Sequence, residues 1–326
     1  MKLYAGTTEQ FRADTQMHRI GAAEARRLRV GVQLNTTQRG FRWPEIRELA
    51  RTVEDVGLDS VWTEDHIQYQ AKAGNWIGPW DAWTILGGLA AATERVRIGT
   101  MVSPLPLRHP ILLARHAAAV QEMSGGRLVL GIGLGHGEAE YRALGTNLEH
   151  RFGKFREAFE ILLHALEDGT ADHQGRHFTT DGFQLLPRPG DLPRPALMIG
   201  SDGPKTLRLT LPHVESWNWD GFVDDPEEFA AASAYVDAAC EEVGRDPRSV
   251  QRTAHLVVRL SNPEGLPIDP LPAHLRVIEG ETDAVAARLQ AFAAAGADEV
   301  MLIVDPARPA AIEELARIIE RMREAG

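Results

Sequence analysis

Short apolar runs alternate with amphipathic stretches eight times between residue 29 and the end of the chain. That alternation restricts the fold more than any other feature. "RVGVQLN" (29–35) has the length and apolar content of a buried strand. "PEIRELARTVEDVG" (44–57) follows, with Ile46, Leu49, Ala50, Val53 and Val56 at helical spacing. Pro44 suits the first helical turn and Gly57 the stop. The unit recurs as strand 59–64 with helix 81–94, strand 95–102 with helix 111–123, and strand 127–133 with helix 149–167. Strand 195–200 with helix 204–211 and strand 214–220 with a helix near 226–243 come next, then strand 250–260 with helix 282–296 and strand 299–305 with helix 309–324. Strands apolar on both faces belong in a parallel sheet covered by helices. Eight such units closing on themselves predict a (β/α)8 TIM barrel, whereas a doubly wound sheet built from them would leave open edges.

Residues 29–326 read as one barrel domain, and 1–28 as an N-terminal extension expected over an end of the barrel or against a partner subunit. The stretch 169–194 fits a short hairpin between units, and the proline-rich 261–280 an irregular insertion. Apolar residues make up 44% and charged residues 25%, enough for a large core. The net charge of −11, with 46 acidic against 35 basic residues, argues against nucleic acid as a partner. No stretch has the roughly 18 uninterrupted apolar residues of a membrane span, and the first residues lack a signal-peptide core. The cytoplasm is the expected location. Cys240, the single cysteine, reads as packing in a helix.

In this fold chemistry sits in the loops after the strands. The second strand runs into "TEDH": Glu64, Asp65 and His66. A histidine exchanges protons near neutral pH and a carboxylate can fix its tautomer, but adjacent side chains can also diverge, and a capped turn is the plain alternative. Tyr69, Trp76 and Trp80 add aromatic area that suits a pocket wall or a cover for the barrel. The third strand ends near Thr100, Met101, Val102 and Ser103, with Arg108 and His109 beyond, suited to an anionic group or a salt bridge. "GIGLGHGEAE" carries glycines at 131, 133, 135 and 137, an order unlike the dinucleotide fingerprint. These glycines permit either close approach of a ligand or crowding within the barrel. His136, Glu138 and Glu140 are candidate pocket residues, and no compact ligand motif suggests a metal. "GSDGP" (200–204) is a turn into a helix that can hold an anion or simply cap it. Trp217 and Trp219 wall a pocket or fill a seam.

Taken in order, "SVWTEDH", "RVRIGTMVSPLPLRHP", "MSGGRLVLGIGLGHGEAEYRALG" and "LMIGSDGPKTLRL" resemble the bacterial luciferase-like oxidoreductase family, and more narrowly its deazaflavin-dependent branch, which uses coenzyme F420. The resemblance covers about residues 29–325. It implies a barrel with a flavin-type ring at its C-terminal mouth, and a homodimer. It places Asp65 and His66 beside the ring, with His66 in the proton or electrostatic role and Asp65 as an orienting group. Met101–Val102 matches a non-proline cis peptide that bulges behind the ring, although the first position is smaller in relatives. Gly133, Leu134 and Gly135 match the pocket wall. Gly200, Ser201, Asp202, Gly203 and Pro204 match the segment that holds the cofactor phosphate. His136 stands where sugar-phosphate dehydrogenases of the family carry a glutamate acid, which argues against sugar-phosphate oxidation.

The expected activity is hydride transfer between F420 and a small organic substrate that the sequence does not identify. An FMN-dependent monooxygenase served by a reductase is the second reading, and a non-catalytic structural or regulatory barrel the third.

Overall fold

The computed structural model describes residues 27–37, 41–70, 74–188, 190, 192–219, 224–260 and 276–324. The expected extension 1–28 therefore lies almost wholly outside the described residues, as does most of the proline-rich insertion. Eight strands form the wall: β1 (Arg29–Gln33), β2 (Ser60–Thr63), β3 (Arg97–Thr100), β4 (Leu128–Gly133), β5 (Ala196–Ile199), β6 (Ser216–Trp219), β7 (Gln251–Arg259) and β8 (Glu299–Asp305). Each pairs in parallel with the next, and β8 pairs back onto β1, with Arg29 opposite Glu299 and Gln33 opposite Ile303. The sheet closes, so the wall has no edge, and the barrel expectation is borne out.

The outer layer consists of α1 (Trp43–Asp55), α2 (Ala82–Ala92), α3 (Pro110–Met123), α4 (Arg151–Glu167), α5 (Pro204–Thr210), α6 (Pro226–Glu242), α7 (Thr282–Ala294) and α8 (Pro309–Glu324). Proline occupies the first turn of α1, α3, α5 and α6, where its missing N–H costs nothing. Asp81 and Asp225 cap α2 and α6 with their side chains. Alternate strand residues face these helices: Val30 and Val32 of β1 pack with Ile46, Leu49 and Val53 of α1 in the main core.

The other face of each strand fills the lumen in layers. Trp62, Met101, Val129, Met198 and Met301 form a separate apolar plug. Below it, at the N-terminal end, Glu299 is buried between Arg97 at 2.6 Å, Arg29 at 3.6 Å and the Ser60 hydroxyl. Burial alone would protonate Glu299, but the two guanidinium charges and the hydroxyl outweigh it and hold its pKa below the ordinary carboxylate value.

The hairpin expected in 169–194 is present as Thr170–Gln174 paired with Thr179–Gln184. Several small elements escape the sequence pattern. Tyr69–Gln70 pairs with Trp76–Ile77, a helix forms at Glu138–Ala143, and Val277–Glu279 adds to β7 where irregular chain was expected. Two to six residues are too few to establish a readable period. Cys240 is buried in α6, and burial pushes its thiol pKa up, as suits packing. No described helix is long and apolar enough to cross a membrane.

Candidate active site at the C-terminal mouth

Side-chain alternation along β2 decides how "TEDH" is used. Trp62 faces the lumen and donates its indole N–H to Ser60 Oγ at 2.7 Å. Two residues on, the same alternation turns Glu64 inward and Asp65 outward. Asp65 is buried, and one of its oxygens accepts the Ser103 hydroxyl at 2.6 Å and Arg108 Nε at 3.0 Å. Its second oxygen accepts Arg108 Nη2. Arg108 also reaches Asp81, the cap of α2, at 3.3 Å. Asp65 thus fastens the exits of β2 and β3 together, and Arg108 takes its salt-bridge reading. His109 sits edge-on to Phe178 at 5.8 Å, on the outer side of the same exit.

His66 pairs with Glu140 rather than with its neighbour. Its Nδ1 lies 3.2 Å from Glu140 Oε1, which also accepts the Ile67 backbone N–H at 2.7 Å. The His66 side chain is 31% exposed and that of Glu140 only 2%, so the carboxylate lies behind the ring and the ring faces the mouth. Burial opposes the imidazolium, but the Glu140 hydrogen bond and the charges of Glu140, Glu64 and Asp65 raise the His66 pKa above its ordinary value. Glu140 is lowered correspondingly: burial opposes its charge, and His66 and the Ile67 N–H overcome that. Tyr69 and His136 meet the His66 ring edge-on, with centroids at 5.5 and 5.6 Å.

Glu64 has the more unusual environment of the two acids in "TEDH". No hydrogen bond or ion pair engages its carboxylate among the described residues. Burial raises its pKa and the Glu140 charge adds to this, with His66 and His255 opposing. His255 comes from the lumen face of β7, so a strand histidine and the loop histidine His66 both act on the Glu64 carboxyl group. The resemblance singled out Asp65 and not Glu64; which of two adjacent acids turns inward depends on the strand's rotation.

The Met101–Val102 peptide is cis, as the resemblance implied. Met101 points down into the lumen plug, and Val102 packs against that plug at the exit of β3. A Cβ on Gly133 would lie 2.7 Å from Val102 Cγ2, and one on Gly200 3.0 Å from Val102 Cγ1. Glycine is needed here because Val102 fills the space, which is the crowding alternative for these positions. Leu134 and Gly135 continue the wall through their carbonyls, which accept Tyr141 Oη and Arg151 Nη1, each at 2.9 Å.

The turn of Gly200, Ser201, Asp202 and Gly203 leads into Pro204, with Gly200 N–H on the Ile132 carbonyl at 2.9 Å. Gly203 N–H donates to Ser201 Oγ at 3.3 Å, and Asp202 is exposed. Trp217 faces the core rather than the mouth: it is 1% exposed, against Phe229, with its indole N–H on the Ser201 carbonyl at 3.0 Å. It faces outward because β6 alternates and Asn218 takes the lumen side. Glu138 lies on the solvent face of its short helix, 3.5 Å from Arg142. Glu140, four positions after His136, backs the His66 ring. Trp76 and Trp80 are about half exposed, and Trp80 donates to the Phe41 carbonyl at 2.9 Å, so both read as cover over the loops. Among the described residues no cluster of His, Cys, Asp and Glu is placed to hold a metal.

Known proteins are similar to this chain in sequence or in fold. A 5,10-methylenetetrahydromethanopterin reductase of Archaeoglobus fulgidus is 27% identical over 66% of this chain and 60% of its own length. An F420-dependent hydroxymycolic acid dehydrogenase of Mycobacterium tuberculosis is 29% identical over 70% of this chain and 61% of its own. The chain therefore spans under two thirds of these relatives. Among solved structures, an F420-dependent secondary alcohol dehydrogenase in complex with an F420–acetone adduct superimposes over 91% of this chain and 99% of that one, with a TM-score of 0.75 at 19% identity, a likeness of fold. The sequence model of the family described as luciferase-like monooxygenases matches residues 27–264, most of the barrel and all of the mouth residues described above, and by that match the chain belongs to this family.

Proposed function

We propose that this protein is an F420-dependent oxidoreductase that moves a hydride between the deazaflavin and a small organic substrate, with His66 as the proton-carrying group. The observation that supports it most is the His66–Glu140 pair at the open end of the barrel, beside the Glu64 carboxyl group, which has no hydrogen bond or ion pair among the described residues. Relatives named for F420 dependence support the choice of cofactor.

In this reading a flat ring would seat at the mouth, where Val102 is the single side chain between the strand exits at Gly133 and Gly200. Met101 and Val102 would lie behind the ring, Gly133, Leu134 and Gly135 would form its side wall, and Gly200 to Pro204 would meet the phosphate end. When bound, the deazaflavin supplies or takes up a hydride at a substrate carbon. The protein handles the accompanying proton. With Nδ1 held by Glu140, His66 offers Nε2 to the substrate oxygen. As imidazolium it gives a proton when a carbonyl is reduced, and as imidazole it takes one when an alcohol is oxidised. Asp65 acts through position, by fixing the loop that carries His66. Tyr69 and His136 border the substrate, and a cytoplasmic homodimer is the expected form.

The second reading, FMN-dependent oxygenation with a reductase as partner, rests on the family's description. Anaerobic titration with F420 and with FMN separates the two. Saturable binding of F420 with weak or absent FMN binding is expected, and the reverse order would replace the proposal with the second reading. His66→Gln should lower turnover about 10²-fold, the lower scale of side-chain proton transfer, with cofactor affinity nearly unchanged.

A further inference from the structure

The lumen above the apolar plug has two unlike halves. Beside β4 and β5 the wall carries no side chain at Gly133 and Gly200, and Val102 occupies the space. From β6 through β7 and β1 to β2 the wall is polar. Gln33 stands opposite the plug residue Trp62 across the β1–β2 pair, and Glu64 follows Trp62 by two positions on the same face. His255 stands opposite Met301, another plug residue, across the β7–β8 pair. Asn218 lies opposite Thr253, two positions before His255. The four side chains therefore line one arc at neighbouring heights, on top of the plug.

This arc holds hydrogen-bonding capacity that the protein leaves unused. Asn218 is 2% exposed; its Oδ1 accepts the Thr253 hydroxyl at 2.8 Å, while its Nδ2 donates to nothing among the described residues. Gln33 Oε1 is buried and accepts from nothing among them. The Glu64 carboxyl group likewise has no hydrogen bond or ion pair there. Gln33 and Asn218 sit on regular strands and Glu64 directly after β2, so the sheet fixes their directions. Buried polar atoms are ordinarily satisfied, and bare ones cost free energy that a bound ligand restores.

The bare atoms also define the chemistry of a complement. Gln33 offers an acceptor and Asn218 a donor. A carboxyl group does both when protonated, the form that burial favours at Glu64. The Glu140 charge nearby opposes an anion. A neutral group with an N–H and a C=O side by side answers all three, whereas a ketone or an ether leaves Gln33 bare.

We propose that Gln33, Glu64 and Asn218 recognise a primary amide or lactam, and that this arc is the substrate seat of the reaction proposed above, on which its role as a substrate seat rests. The amide edge is the handle. Hydride and proton meet at another group of the same molecule, on the side of His66, while the ring takes the glycine half of the lumen. Selectivity follows from burial: an analogue without the N–H leaves a buried acceptor unpaired.

Ligand-observed NMR titration of the full chain without cofactor, using 2-piperidone, N-methyl-2-piperidone and piperidinium, tests it. Saturable binding of 2-piperidone is expected, about tenfold or more tighter than the other two, the scale of leaving a buried partner unpaired. Gln33→Met and Asn218→Leu keep side-chain volume and remove the amides. Each should lower the preference for 2-piperidone and the double variant should lose it, with circular dichroism and melting temperature reporting an intact fold. Glu64→Gln keeps a donor and an acceptor in the same place and should keep the preference. Equal binding of the three probes, a preference for piperidinium, no saturable 2-piperidone binding, or an undiminished preference in the folded double variant overturns the proposal. Repeating the titration at saturating F420 separates it from the choice of cofactor. Lactam binding that persists beside F420 supports the substrate seat, and displacement by F420 overturns it. Selective 2-piperidone binding with no F420 binding would discard the cofactor and keep the amide seat, and F420 binding with no lactam binding would do the reverse.

Discussion

Nδ1 of His66 lies 3.2 Å from Oε1 of Glu140, a residue 74 positions further along the chain. The contact joins the loop after β2 to the short helix after β4 and sets the charge state at the barrel mouth. Replacing Glu140 by Gln keeps the shape and removes the charge. The His66 pKa should then fall, as read by NMR titration of its ring protons. The sign in stability follows from linkage. A histidine raised in the folded state contributes stability that is fully present below its unfolded pKa and is lost as pH rises through the folded value. Glu140→Gln should therefore flatten the melting-temperature profile across that window, and an unchanged His66 titration would remove Glu140 from its role.

Glu64 should behave in the opposite sense. Its carboxyl pKa is raised, chiefly by burial, so the ionised form costs stability above the folded pKa. Glu64→Gln should raise the melting temperature on the alkaline side and leave it nearly unchanged in acid. Turnover should fall in the same variant, because a carboxyl group kept without a partner is kept for chemistry. A variant that gains stability and keeps full activity would assign Glu64 no part in the reaction.

At the other end of the barrel, Glu299→Ala would remove a buried carboxylate and leave the partly buried Arg97 and Arg29 without their counterion. The expected loss is about 3–5 kcal/mol of unfolding free energy, the usual result of breaking a buried pair from one side. Urea denaturation measures it. Cofactor affinity should survive in the folded fraction, since the cluster lies beneath the lumen plug.

Val102 and Gly133 form a packing pair with a test of its own. A Cβ at 133 would stand 2.7 Å from Val102 Cγ2. Gly133→Ala should cost about 1–3 kcal/mol as overpacking, and Val102→Ala in the same chain should recover much of it. A double-mutant cycle on stability, repeated on cofactor affinity, shows whether the pair supports the ring as well as the wall. Additive effects would separate the two residues.

The barrel itself was legible in the sequence. Each strand from β1 to β8 is marked by a short apolar run and each following helix by a 3.6-residue period, and parallel pairing with closure follows from burial of both faces. "TEDH" was legible as a place, because strand ends carry the chemistry in such a fold, and the hairpin after α4 was visible as a polar interruption between two units. What the sequence could not determine is which side chains meet. Asp65 and His66 are neighbours, yet one turns to Ser103 and Arg108 and the other to Glu140. Trp217 and Asn218 exchange core and lumen by a half-turn of one strand. Arg151, Arg156 and Arg176 reach one cavity only because a hairpin folds back along α4. Local periodicity is set by neighbours within a few residues and can be read along the chain. The rotation of a strand and the convergence of distant loops are set by closure of the whole barrel, so only the tertiary structure decides them.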